Sequence, residues 1–525
     1  MKRFKWMRCL PVLCVLATHV CWAGHTPPPA AQAAFDRAVV LDKEKKPADA
    51  LAAYIQAIEA DPDFLAAHDR LAEFTFMVYS HGGPKSQLDA MEKAMDAKYE
   101  EWERRFPDSV GIQYGMGARY SEKEDPRAKQ YLLKVLARDP KIAKVYSMLS
   151  ADADRRGDEK AATEYMHQAS LLEPQNADFA FYYASYLHTE AASLDVARRF
   201  PTSERGAQAL CWLGYGAPDD AKRIAYLEQL RAQFPPQKFG WSASGMNALF
   251  EAYLRVDPTK AVKLAQEMHG GKNAKEWDAR LALAQTYIEV NEKVTAGKTR
   301  EAVELLDKLS ADRYSSNTAM LLVLKARIMA GSGQAQGAYD TLLKHQTTAP
   351  DDATLAALRS VGTQLHKTAA QVDADLKAAL VVGAKKAPAF VLEQYGSNAT
   401  VSLAKLRGKV VLLTFWFPGC GPCRAEMPHF ETVLKGGGQG KNIVYLGVNG
   451  LRDQDDFVLP FMEKTQYSFT PLKGTDAVTG AKGFNVGGYP SNFLIDRAGR
   501  IVYHGFRIDD THGERMLRQM IESVL

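Results

Sequence analysis

The residues best suited to chemistry are two cysteines placed three apart. Pro418-Gly419-Cys420-Gly421-Pro422-Cys423 follows an apolar run, Lys409 to Phe417, and precedes a stretch of helical periodicity from Arg424 to Leu434. The run, largely Val, Leu and Phe, suits a strand buried on both faces, and the stretch after it suits a helix. A thiolate, not a thiol, attacks a disulfide. A cysteine at a helix N-terminus has its thiolate stabilised by unpaired backbone N–H groups and the helix dipole, which lowers its pKa from ~8.5 toward ~7 or below. Cys420 takes that place, so an exposed sulfur and the role of nucleophile are expected of it. Two intervening residues put Cys423 one turn on, where it can attack a mixed disulfide and release the product. Pro422 suits the first helical turn, where a missing N–H is harmless. A strand, a Cys-x-x-Cys and a helix together make a thiol–disulfide couple the expected chemistry, with no cofactor required.

The other cysteines add little. Of six, Cys9, Cys14 and Cys21 lie in the first 23 residues, and Cys211, in Leu210-Cys211-Trp212-Leu213, reads as a buried small hydrophobe. That is too few for a disulfide scaffold. The 12 histidines are scattered, with no HExxH, and the cysteine pair lacks a second ligand pair, so no metal is expected.

Residues 1–23 read as a signal peptide: a basic segment from Met1 to Arg8, a mostly apolar stretch from Cys9 to Val20, and Cys21-Trp22-Ala23 as a small-residue cleavage site before Gly24. Export, to a periplasm, is the expected localisation. An uncleaved anchor is the alternative, weakened by Pro11 and by a length below the ~20 residues a span needs. Residues 24–33, with Pro27-Pro28-Pro29, read as a linker. At 525 residues the chain should hold about three domain-sized units of ~150 residues. The net charge of +4 comes from Lys2, Arg3, Lys5 and Arg8, since without them 62 basic residues face 62 acidic ones. A neutral chain without a basic run outside the signal is not expected to bind nucleic acid.

From about Ala34 to Lys385 the chain shows an apolar i, i+3, i+4, i+7 pattern that repeatedly ends at an acid-Pro or Phe-Pro step. That predicts helix after helix. Pro107, Pro140 and Pro174 are 33 and 34 residues apart. Aligned on Pro62, Pro140 and Pro174, small residues recur at Ala50, Ala128 and Ala162, large ones at Tyr54, Leu132 and Met166, and small-to-medium ones at Ala57, Val135 and Ala169. Small residues let paired helices approach and the large one fills the next groove. The pattern resembles the tetratricopeptide-repeat family, which implies an all-α solenoid, assigned to 34–380 with irregular members, and a surface for protein partners. Phe179, Phe181, Tyr182, Tyr183 and Tyr186 are expected mainly as inter-repeat core.

Residues 381–387 read as a second linker and 388–525 as an α/β domain. Phe390 to Leu403 suits a hairpin, Ile443 to Val448 a second apolar strand, Phe457 to Thr465 a helix, and Asn492 to Tyr503 a hairpin around Ala498-Gly499. Lys409 to Trp416, then Cys420-Gly421-Pro422-Cys423-Arg424-Ala425-Glu426-Met427-Pro428, resembles the TlpA/ResA-type thioredoxin-like thiol:disulfide oxidoreductases over about Ala387 to Leu525. The resemblance implies a thioredoxin-like fold and a Cys420–Cys423 disulfide. It also implies a cis-proline at Pro490 as substrate platform, with the Tyr489 backbone pairing with substrate, a helix kink at Pro428, and an acid, Glu426, that tunes the protonation of the pair. A solvated helix carboxylate is the plainer reading of Glu426. Two departures stand out: Gly419, in the substrate-binding position usually held by an aromatic, and Thr414 where thioredoxins bury an Asp.

The fold class expected is therefore multidomain, with a helical solenoid ahead of a thioredoxin-like domain. The function expected is that of an exported thiol:disulfide oxidoreductase. Its partners would be protein or peptide thiols and disulfides, with an electron donor across the membrane if it works as a reductase. A peroxidase would need a Pro-x-x-x-Thr/Ser-x-x-Cys frame that Pro418 does not supply. The non-enzymatic alternative is a repeat scaffold or redox sensor whose thioredoxin-like domain is a structural module.

Overall fold

The computed structural model describes residues 25–525 except 82–84, 271–272, 310–316, 437–441 and 509. The expected signal peptide lies outside the described residues. From Pro29 to Gly383 the described chain forms twenty α-helices, beginning with Pro29–Lys43 and Pro47–Ala60 and ending with Ala369–Gly383. Helices stop at the acid-Pro steps because a residue before proline is pushed out of the helical region. Asp61 and Asp139 accordingly have extended backbones, with ψ of 95° and 98°. All nine positions aligned on the prolines, from Ala50, Tyr54 and Ala57 to Ala162, Met166 and Ala169, are buried. Residues 29–33, expected within a linker, instead begin the first helix, since proline's absent N–H costs nothing at a first helical position.

The chain divides into two compact units. One holds the residues up to Tyr186 together with 417–419 and 451–466. Its core runs through Phe35, Tyr54, Phe64, Phe74, Trp102 and Leu132. The helix Asp455–Thr465 belongs to it. Lys464 Nζ lies 2.8 Å from the Asp158 carboxylate, and the Arg156 guanidinium lies 5.2 Å from the centre of the Phe457 ring. Gly157, with φ of +71°, sits where a Cβ would come within 2.8 Å of Thr465.

The other unit comprises 187–416, 420–450 and 467–525. Its helices pack around Leu210, Cys211, Leu227, Phe234, Leu249 and Phe250, with Cys211 fully buried as expected. Its sheet contains β1 (Lys385–Lys386), β4 (Val410–Trp416), β5 (Ile443–Asn449), β6 (Thr470–Lys473), β7 (Ser491–Ile495) and β8 (Arg500–His504), in the order β1-β8-β7-β4-β5-β6. β2 (Val391–Glu393) and β3 (Thr400–Ser402) form a separate hairpin. β4, β5 and β6 run parallel, while β7 is antiparallel to both of its neighbours, β4 and β8, which makes the sheet mixed. Every residue of β4 is buried, as befits its continuous apolar run.

The division does not fall at 381–387, the second expected linker. Residues 381–383 complete the last helix, and Lys385 and Lys386 pair with Ile501 and Arg500 on the edge of β8, whose backbone groups would otherwise lack partners. Helix Thr511–Glu522 also meets Asp352, through Arg515 Nε at 3.2 Å, Gln519 Nε2 at 3.2 Å and His512 Nδ1 at 3.0 Å.

Candidate active site

β4 delivers the chain to Cys420, the residue immediately before helix Gly421–Gly436. Cys420 and Cys423 are joined in a disulfide, with Cα atoms 5.3 Å apart. The Cys423 backbone N–H donates to Cys420 Sγ at 3.2 Å, so the helix N-terminus directs a donor at the first sulfur. This is the interaction expected to favour a Cys420 thiolate once the bond is reduced. The expected exposure is absent: Cys420 is 4% exposed and Cys423 2%. A helix-start position orients a sulfur toward N–H groups without holding it in solvent, so spacing alone could not settle accessibility.

Glu426 stands one turn after Cys423 and is 2% exposed, which excludes the solvated-carboxylate reading. A buried carboxylate is costly unless hydrogen-bonded, and this one is held on both oxygens. Its Oε2 accepts from Asn492 Nδ2 at 2.8 Å, and its Oε1 accepts from the Ile508 N–H at 3.2 Å, with Arg507 Nη1 at 3.7 Å. Asn492 also donates to the Phe506 carbonyl at 3.0 Å and accepts the Thr414 hydroxyl at 2.8 Å. The antiparallel register places Thr414 and Asn492 directly opposite each other on β4 and β7, so their side chains share a face. Thr414, noted in the sequence as lacking a carboxyl, thus anchors the amide that anchors Glu426. Nearby on β5, the Tyr445 phenol is driven well above its ordinary pKa by burial, and further by the Glu431 and Glu426 carboxylates.

The Tyr489–Pro490 peptide is cis and Pro490 is buried. The Tyr489 hydroxyl donates to the Gly450 carbonyl at 3.0 Å, and a Cβ on Gly450 would lie 2.1 Å from that hydroxyl, so only glycine fits under the ring. Burial raises the Tyr489 pKa. Pro428 lies inside the helix, as expected. In the other unit, the Gly419 N–H donates to Gln454 Oε1 at 2.6 Å.

Asn492, Gln454 and the Ile508 N–H were not singled out from the sequence. The available signal for Asn492 was a lone amide at the head of the apolar run Phe493-Leu494-Ile495. No such signal marks Gln454.

The sequence model of the Redoxin family matches residues 382–520. The thiol:disulfide interchange protein HelX of Rhodobacter capsulatus is 34% identical over 119 residues, covering 22% of this chain and 64% of HelX. The thiol-disulfide oxidoreductase ResA of Bacillus cereus is 32% identical over 121 residues, covering 22% of this chain and 66% of ResA. The chain therefore spans just under two thirds of these relatives. A solution structure of a thiol:disulfide interchange protein from Bacteroides sp. is 26% identical, covering 26% of this chain and 90% of that one, with a TM-score of 0.23. The chain is thus a long all-helical region followed by a thioredoxin-like α/β domain of the Redoxin type, with homologues among the thiol:disulfide interchange proteins and oxidoreductases.

Proposed function

We propose that the protein is an exported thiol:disulfide oxidoreductase working through Cys420 and Cys423, with a tetratricopeptide-like region that recruits protein partners. The observation that carries this reading is the Cys423 N–H donating to Cys420 Sγ at the start of a helix. In the reduced protein, the Cys420 thiolate attacks one sulfur of a substrate disulfide, forming a mixed disulfide and releasing the other substrate sulfur as a thiolate. The Cys423 thiolate then attacks Cys420, which closes the Cys420–Cys423 bond and frees the second substrate thiolate. Two electrons pass to the substrate, and the same steps reversed oxidise a substrate dithiol. Reduction in an oxidising compartment would draw on a membrane electron donor. Export rests on the Met1–Ala23 pattern, and among the described residues no helix is long and apolar enough to cross a membrane. The buried repeat positions support the solenoid reading, and Tyr182, 41% exposed, offers an aromatic to a partner.

The burial of both cysteines favours a second reading, a redox-sensing module that does not turn over protein substrates. Insulin reduction with dithiothreitol as donor separates the two: an oxidoreductase accelerates precipitation, and a sensor does not. Cys423→Ser should trap mixed disulfides while Cys420→Ser abolishes turnover. Equal trapping by both variants would contradict the assignment of the nucleophile.

A further inference from the structure

We propose that the helical region positions the redox motif through Gln454, with Glu124 setting the direction of the Gln454 amide. The proposal rests on the oxidoreductase reading and adds to it a means by which the helices act on the couple. Gln454 closes the short turn Arg452–Gln454 and is 1% exposed. Its Oε1 accepts from the Gly419 N–H at 2.6 Å, and its Nε2 donates to the Glu124 carboxylate. Glu124, Gln454 and Gly419 all belong to one compact unit. A carboxylate only accepts, so the amide must turn its NH2 toward Glu124, which leaves the carbonyl for Gly419. Glu124 follows helix Val110–Glu122 with φ of 55°, and Arg155 Nη2 lies 3.7 Å from its other oxygen.

Gly419 supplies a second, independent observation. A Cβ there would lie 3.0 Å from Gln454 Nε2 and 3.1 Å from its Oε1, so a side chain at 419 would crowd the amide, which would have to give by a few tenths of an ångström. The glycine that replaces the expected aromatic is therefore the residue that makes room for Gln454. Gly419 is bonded to Cys420, and tying its N–H fixes the backbone that presents Cys420 to the Cys423 N–H. Releasing it should loosen that presentation and weaken stabilisation of the Cys420 thiolate. A stabilised thiolate favours the dithiol form, so release should make the couple more reducing.

The experiment equilibrates the full chain with glutathione and determines the Cys420–Cys423 potential for wild type, Glu124→Ala, Gln454→Ala and the double variant. Each single variant is expected to shift the dithiol–disulfide equilibrium about tenfold toward disulfide, or about 30 mV. The double variant should go no further than either single one, because both cut the same chain of contacts. In a Cys423→Ser background, iodoacetamide should alkylate Cys420 more slowly when Glu124→Ala is added. Lys464→Ala, which removes the ion pair to Asp158, should leave the potential unchanged. Folded Glu124→Ala protein with a wild-type potential, or additive shifts in the double variant, would overturn the proposal. If Gln454→Ala does not fold, Glu124→Ala decides. An unmoved couple in a chain that reduces insulin refutes this proposal alone. A chain that fails to reduce insulin refutes the oxidoreductase reading, and the shift or constancy of the couple's potential then still decides whether Glu124 and Gln454 position the motif.

Discussion

Replacing Asn492 by Leu, close in shape but without the amide, should remove three hydrogen bonds at once. The Glu426 carboxylate would lose its donor at 2.8 Å, the Phe506 carbonyl its donor at 3.0 Å, and the Thr414 hydroxyl its acceptor at 2.8 Å. Each buried polar group left unsatisfied costs roughly 1–3 kcal/mol, more when charged, and the three belong to one network, so the costs do not simply add. A total on the order of 4 kcal/mol is expected. Thr414→Val breaks one bond of the network and should cost about 1 kcal/mol. A chain of two units need not unfold in one step, so the readout is amide hydrogen exchange at β4 and β7 in the oxidised full-length protein. At about 1.4 kcal/mol per factor of ten, Asn492→Leu should lower protection there by roughly a thousandfold and Thr414→Val by less than tenfold. Adding Glu426→Gln to Asn492→Leu should recover part of the loss, because a neutral amide is cheaper to bury unpaired than a carboxylate. Equal effects of Asn492→Leu and Thr414→Val, or no recovery with Glu426→Gln, would refute the account of a carboxylate held by this amide.

Burial lowers the His68 pKa from 6.5 to about 4, against the opposing hydrogen bond to the Pro62 carbonyl. The unfolded chain then binds a proton between those values that the folded chain does not. The His68 contribution is therefore full above pH 6.5 and falls by about 3 kcal/mol as pH drops toward 4. Thermal unfolding of wild type and His68→Gln at pH 7.5 and 4.5 should show the variant losing less on acidification, and parallel losses would contradict this. Cys211, buried and with its thiol pushed up to about 12, should resist iodoacetamide at pH 8 in folded protein, whereas reduced Cys420 reacts; peptide mass analysis checks both. Gly111→Ala would place a Cβ 2.2 Å from the Pro62 carbonyl oxygen, backbone that cannot step aside locally, so it should lower the melting temperature by more than an alanine introduced at the open Gly270.

Local rules account for what could be read from the residues alone. The cysteine pair, the buried strand ahead of it and the helix behind it span under thirty residues, and their meaning lies in spacing and periodicity. The helices before Gly383 were legible for the same reason: each is written in its own 3.6-residue pattern, several of them end at a proline step, and the inward register of Ala50, Tyr54 and Ala57 recurs with the repeat. The environment of the cysteines was not legible. Glu426 meets Asn492 across 66 residues of sequence and Ile508 across 82, and Thr414 meets Asn492 across 78. Those meetings follow from the β4–β7 register and the return of the chain after β8, which only sheet assembly settles. The same holds for the edge pairing that turned an expected linker into β1, and for Gly419, whose N–H meets Gln454 across 35 residues of sequence. Local sequence chooses the elements and the reactive atoms. Tertiary packing decides which buried donors surround them, because hydrogen-bond partners far apart in the chain are brought together only when every strand between them has taken its place.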